Sequence, residues 1–247
     1  GSAMAPELSS GTNSLPVIET ARAVHHLSQA EAGRGYPVRL KGVVTYSDPR
    51  WWMIFVQDKT DAIFVAPQSS QVEIRPGQRV EVHGVTAAGD FAPTVTRATF
   101  TILTNGPMPK PAQPTLGELL TGQFDCRWVK LSGIVQSFSE DDGHLILYLR
   151  IREGIIPAFL APTIPISEAS RFLDAQITMQ GAIAGQLNRQ GQLVAVRLFV
   201  PDLEAIHVDE PAPADPFALT TQKIGDLLRY NPDEENMGHR IKIAGTI

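Results

Sequence analysis

The sequence predicts an all-β protein with short helices, arranged as tandem five-stranded barrels of which the last repeat is truncated. Three observations carry this. One short apolar strand ending in Gly and a β-branched residue occurs three times, as Val38, Leu40, Gly42 and Val43, as Val129, Leu131, Gly133 and Ile134, and as Ile241, Ile243, Gly245 and Thr246. The copies begin at residues 38, 129 and 241, a spacing that suits whole domains and is too long for a solenoid repeat. Between the copies run short alternating segments separated by turn residues, and proline-rich stretches mark the joins.

Residues 1–14 read as a tag remnant (Gly1 to Met4) followed by a polar, flexible lead-in. The first unit, 15–112, opens with a helical pattern from Thr20 to Leu27, and Ser28 with Glu31 forms a capping box for a second helix that Gly33 and Gly35 stop. Strands follow near 37–46, 51–57, 62–66, 79–87 and 94–103, with turn chemistry at Asp58 to Asp61, Pro76-Gly77 and Ala88 to Asp90. The second unit, 113–210, repeats the plan. Leu116, Leu119 and Leu120 share one helical face, and strands are expected near 127–138, 144–152, 155–161, 175–184 and 192–200, with Asp142-Gly143 as a tight hairpin turn.

Residues 211–247 hold a linker, a helical pattern at Ile224, Leu227 and Leu228, and the first strand of a third repeat cut off at Ile247. The chain therefore reads as a piece of something longer. Gly106 to Pro114 contains four prolines and Pro211 to Pro216 contains three, which makes both segments stiff spacers and the domains a semi-rigid string. Five strands, the first able to bend at its Gly, describe an OB-like barrel; a β-sandwich would need about seven strands, which neither span holds easily.

Composition narrows the function. With 247 residues, 43% hydrophobic and 19% charged, the chain can bury ordinary cores, and no apolar run is long enough to span a membrane. The net charge of −5 weighs against a dedicated nucleic-acid binder. The single Cys126 offers neither an internal disulfide nor metal-ligand spacing. The six histidines are scattered, and His25 and His26, adjacent on a helix, point about 100° apart. No phosphate loop or serine elbow is present, and the acidic runs Glu140 to Asp142 and Asp233 to Glu235 read as solvated turns. No catalytic residue, metal site or cofactor is expected.

The sharper signal is aromatic. Strand alternation from Trp51 to Gln57 puts Met53, Phe55 and Gln57 on one face and Trp52, Ile54 and Val56 on the other. Gln57 is costly to bury unpaired, so its face should be the outer one. Phe64 joins that face if Ile63 and Val65 point inward, and Tyr46 and Trp51 lie at the adjoining loop. Tyr46, Trp51, Met53, Phe55, Gln57 and Phe64 thus form a candidate ligand-binding surface where such barrels bind ligands. The competing expectation is that the neighbouring repeat or the leading helix covers this patch. The second repeat carries Ile146, Tyr148 and Arg150 at matching positions.

Nucleobases could stack on Trp51, Phe55 and Phe64, yet Arg39, Lys41, Arg50 and Lys59 are balanced by Asp48, Asp58 and Asp61, so a basic channel is missing. A small molecule or a protein segment fits better than nucleic acid. The terminal strand, Arg240 to Ile247, needs a pairing partner, which the second barrel or another copy in a homodimer could supply.

Thr20 to Val24, Leu27-Ser28, Gly35 to Tyr46 and Phe55 to Asp58, with the later Phe199-Val200-Pro201 and Ala214 to Phe217, resemble the extracytoplasmic N-terminal sensor regions of bacterial membrane-anchored histidine kinases. The resemblance spans residues 15–247 and extends to modules that precede diguanylate-cyclase outputs. It implies a non-enzymatic periplasmic input region, with a signal segment before it and a membrane helix and kinase core after it. Contact with the membrane would come only through those flanking segments. It supplies no catalytic residue and marks the Trp51-Trp52 strand as important. Two other readings remain, a single-stranded nucleic-acid-binding module and a structural spacer or protein-interaction array.

Overall fold

The repeated strand does the same thing in both complete copies: it turns a corner. In the computed structural model, which describes residues 15–188, 190, 192–215, 219–222, 239, 240, 242 and 243, strand β1 (Pro37–Asp48) pairs with β4 (Gln78–Ala87) through Val43 and with β2 (Met53–Gln57) from Val43 onward. Gly42 sits at the changeover, and a bulge between Val44 and Tyr46 bends the strand further. Strands β3 (Ala62–Pro67) and β5 (Thr94–Asn105) complete a closed barrel in the order β1-β2-β3-β5-β4, with β3 and β5 parallel.

The second barrel repeats this. Its strands are β6 (Trp128–Asp141), β7 (His144–Ile151), β8 (Gly154–Leu160), β9 (Gln176–Leu187) and β10 (Leu193–Val200). The ring closes as β6-β7-β8-β10-β9, again with one parallel pair, β8 with β10. Here β6 changes partner at Ile134, beside Gly133. A Cβ on Gly133 would overlap the Arg150 carbonyl oxygen, and one on Gly42 would lie 2.6 Å from a Val56 methyl. Only Gly lets the two strands approach so closely. Gly133→Ala is expected to cost about 2–3 kcal/mol, read as a lowered urea midpoint; an unchanged midpoint would show that the corner relaxes freely.

Alternation fills each barrel. Leu40, Val44, Ile54, Val56, Ile63, Val65, Val80, Val82 and Val95 make the first core, and α1 (Ala21–His25) plugs one end with Ala21 and Val24. Leu131, Val135, Leu147, Leu149, Ile156, Ile177, Met179 and Leu198 belong to the second core, with Phe172 added from α4 (Ala169–Phe172). The predicted capping box forms at Ser28, starting α2 (Gln29–Ala32), and a second one, not anticipated, forms at Thr115 with Glu118, starting α3 (Leu116–Leu119). Two elements had no expectation: α4, and β11 (Ile206–Glu210), which extends the β9 edge after a 3-10 turn at Leu203–Ala205.

Ahead of each barrel the lead-in chain makes one parallel bridge to the first strand, Ile18 to Val38 and Ala112 to Val129. The expected third repeat lies mostly outside the described residues, as does the lead-in 1–14. Its described parts reproduce the bridge: β12 (Thr221–Gln222) runs parallel to β13 (Lys242–Ile243). The terminal strand thus pairs with its own lead-in, and its Arg240 N–H donates to the Asp174 carboxylate of the second barrel at 2.9 Å.

Candidate functional site

The expected outer aromatic face exists, and the second barrel covers it. Ile54, Val56, Ile63 and Val65 point into the first core, which leaves Met53, Phe55, Gln57 and Phe64 outside. Phe55 is 1% exposed and Tyr46 is fully buried, while Trp51, Met53, Gln57 and Phe64 are partly buried. They meet Ile146, Tyr148, Phe159, Ala182 and Phe199 of the second barrel in one apolar cluster. All six predicted residues are therefore brought together, in an inter-barrel interface and not on an open binding face. The semi-rigid string gives way to two barrels in direct contact.

Ring geometry defines the centre. Phe55 lies 6.0 Å from both Tyr46 and Phe64 and 5.7 Å from Phe199, whose ring stacks on Phe159 at 5.5 Å. Burial pushes the Tyr46 phenol far above its ordinary value, and its hydroxyl has no hydrogen-bond partner among the described residues. At the edge, Gln57 solves the problem that placed it outside: its side-chain oxygen accepts the Trp128 N–H at 2.8 Å, across the interface.

Trp51 lies between β1 and β2 as expected, and the strand expected from about residue 51 begins only at Met53. Asp48 caps a 3-10 turn, Pro49–Trp51, by accepting the N–H groups of Arg50 and Trp51 at 2.9 and 3.4 Å, and Pro49 favours that start. The following Trp52 takes a left-handed φ of 54° and is 46% exposed, so it escapes the alternation that predicted it inside. The turn lays the Trp51 ring on His144 at 3.6 Å and aims its indole N–H at Asp142, 2.8 Å away.

Behind that stack lies the pair the sequence did not reveal. The second carboxylate oxygen of Asp48 is 2.5 Å from Nε2 of His144, and neither side chain is more than 1% exposed. In the sequence Asp48 is only a balancing charge and His144 one of the scattered histidines; the residues are 96 apart and no local spacing joins them.

A second polar cluster flanks the interface. His25 and Arg127 contact the Asp61 carboxylate at 3.2 and 3.7 Å. Burial opposes ionisation of Asp61, but the hydrogen bonds from His25 and the Ala62 N–H, with the charges of His25 and Arg127, hold its carboxyl below the usual range. Burial pushes the Asp125 carboxyl up and the neighbouring Cys126 thiol well above its ordinary value, so Cys126 is no ready nucleophile. Among the described residues no group of His, Cys, Asp and Glu could hold a metal ion, and no helix is long and apolar enough to cross a membrane.

Open space lies elsewhere. A groove of about 730 Å³ runs over the outside of β1 and β4, lined by Arg39, Lys41, Lys59 and Arg79 and walled by the linker at Pro107 to Pro109.

Two closed barrels with the same strand order and the same partner-switching first strand define this chain as a tandem OB-like protein, joined through the aromatic side of its first barrel. No protein-family model and no curated protein matches the sequence. Among solved structures it is similar to asparaginyl-tRNA synthetase from Pyrococcus horikoshii, with 17% identity over 38% of this chain and 22% of that one, at a TM-score of 0.30. It is also similar to a murine DNA binding protein bound with double-stranded DNA, with 15% identity over 72% and 97% of the two chains, TM-score 0.34. An OBody bound to hen egg-white lysozyme gives 18% identity over 42% and 100%, TM-score 0.31. The chain spans about a fifth of the length of that synthetase (22%).

Proposed function

We propose that this chain is a non-catalytic recognition region whose barrels move as one body, serving as the periplasmic input of a membrane-anchored signalling kinase of the kind its sequence resembles. The supporting observation is the interface: rings, a solvent-excluded Asp48–His144 pair and the Gln57 to Trp128 hydrogen bond tie the two barrels together. A ligand that favours one arrangement of such a body biases whatever is attached to it by the difference in its affinity for the two arrangements. The test is the encoding reading frame. A membrane-spanning segment followed by a kinase core downstream of residue 247 is the expected result, and a frame without either would overturn the signalling role.

Single-stranded nucleic-acid binding is a second reading, and one observation favours it: the four cations along the groove, a local patch that the net charge of −5 averages away. It predicts oligonucleotide affinity falling with salt by about 0.7 log units per log unit for each phosphate engaged. A flat salt response would remove it. Stacking on Phe55, which that reading had invoked, requires the barrels to part.

A further inference from the structure

We infer that the groove on the outside of β1 and β4 is a binding site for a small phosphate monoester with an apolar body. The inference rests on the reading of the chain as a recognition region and names where and what it recognises. Because Val38, Leu40 and Val80 fill the core, the alternate residues Arg39, Lys41 and Arg79 stand outside, and pairing places Lys41 opposite Glu81 and Val43 opposite Arg79. Glu81 accepts from His83, Arg39 and Lys41 at 2.7 to 3.1 Å. Those three bonds hold its carboxyl down to about 2, so it stays ionised and fixes Arg39 and Lys41 in place.

Lys59, in the β2–β3 turn, and Arg79 differ. Both are exposed, and neither has an ion-pair partner among the described residues. The stem of Arg79 lies along Gly106, where the linker begins: a Cβ on that glycine would come 3.1 Å from it. Among the described residues, two carboxylates share the lining with the four cations. Asp58 is engaged by its own loop and by the start of α1, accepting from the N–H groups of Ala21, Thr60 and Asp61 and from the Thr60 hydroxyl. Glu19 stands exposed at the rim. With Glu81 counted, four cations face three carboxylates, and Lys59 and the forked guanidinium of Arg79 are the charges left for a ligand group with several acceptor oxygens.

Size and walls argue for a small molecule. About 730 Å³ falls in the range of small-molecule sites and far exceeds a bare anion. Pro107, Met108 and Pro109 supply an apolar wall, and among the described residues the lining contains no Phe, Tyr or Trp on which successive bases could stack. The same linker continues to Ala112, which bridges to the second barrel at Val129. A ligand held between β4 and the linker therefore clamps the segment that joins the two units.

The experiment titrates the whole chain calorimetrically with phenyl phosphate at constant ionic strength, with inorganic phosphate and a twelve-nucleotide oligo(dT) as parallel arms. Expected is saturable phenyl phosphate binding, weakened at least about tenfold in the Lys59→Gln, Arg79→Gln double variant and unchanged in Arg171→Gln on the second barrel. Both substituted side chains are exposed, so an unchanged melting temperature of the double variant verifies its fold. Absence of saturable binding, equal binding by the double variant, or saturable binding of the oligonucleotide alone would each overturn the proposal. Loss of the site leaves the barrels unfolding in one transition, whereas two separate transitions would overturn the coupled-barrel reading itself.

Discussion

Alanine at His144 is expected to lower stability by about 3 kcal/mol, the scale for breaking a buried polar pair, and to separate one unfolding transition into two. The imidazole sits 2.5 Å from the Asp48 carboxylate with both side chains out of water, so its removal strands an acid in a dry interface. The Trp51 ring also loses the surface on which it stacks at 3.6 Å. Asp48→Ala should be as costly, since it strips the cap from the Pro49–Trp51 turn as well. The double variant should cost clearly less than the sum of the singles, which isolates the pair. By contrast, the Arg50–Asp142 contact at 3.5 Å joins two exposed side chains, and Arg50→Ala should change stability by about 0.5 kcal/mol or less. Calorimetry that finds a single, barely shifted transition for His144→Ala would mean that the pair does not hold the barrels together.

Truncating Phe55 to alanine should cost about 3–5 kcal/mol, as for other fully buried aromatic side chains. Its ring touches those of Tyr46, Phe64 and Phe199, two barrels meeting on one side chain. The magnitude is diagnostic. A residue on an open ligand face would leave stability almost unchanged and remove binding, whereas an interface residue does the reverse. Phe138, 42% exposed on the far part of β6, serves as the comparison, with an expected change within about 0.5 kcal/mol. Equal midpoints for the two variants in urea would show that the aromatic face is not buried in solution.

Features governed by neighbours in sequence were legible. The Gly–β-branched pair announced the corner of each barrel, alternation sorted Ile54 and Val56 from Phe55 and Gln57, Ser28 announced the start of α2, and the leucine spacing from Leu116 announced α3. What covers an outer face is decided by chain elements about a hundred residues away, which is why the Asp48–His144 pair stayed hidden and the aromatic patch carried two competing expectations. Trp52 failed for a local reason: the Asp48 cap and Pro49 wind a 3-10 turn where strand alternation had been extended two residues too far. Elements α4 and β11 are short additions with little periodicity to betray them.

The residue just before the repeated strand is Pro37, Trp128 and Arg240 in turn. In the second and third copies its backbone N–H docks on a side chain of the preceding barrel, Gln57 and Asp174 respectively. Proline has no hydrogen there to give. The second and third copies therefore carry a plug at the entrance and the first two barrels a socket on the flank, and stacking acquires a direction: a module entered through proline can receive a successor but cannot itself be plugged into a predecessor by this bond.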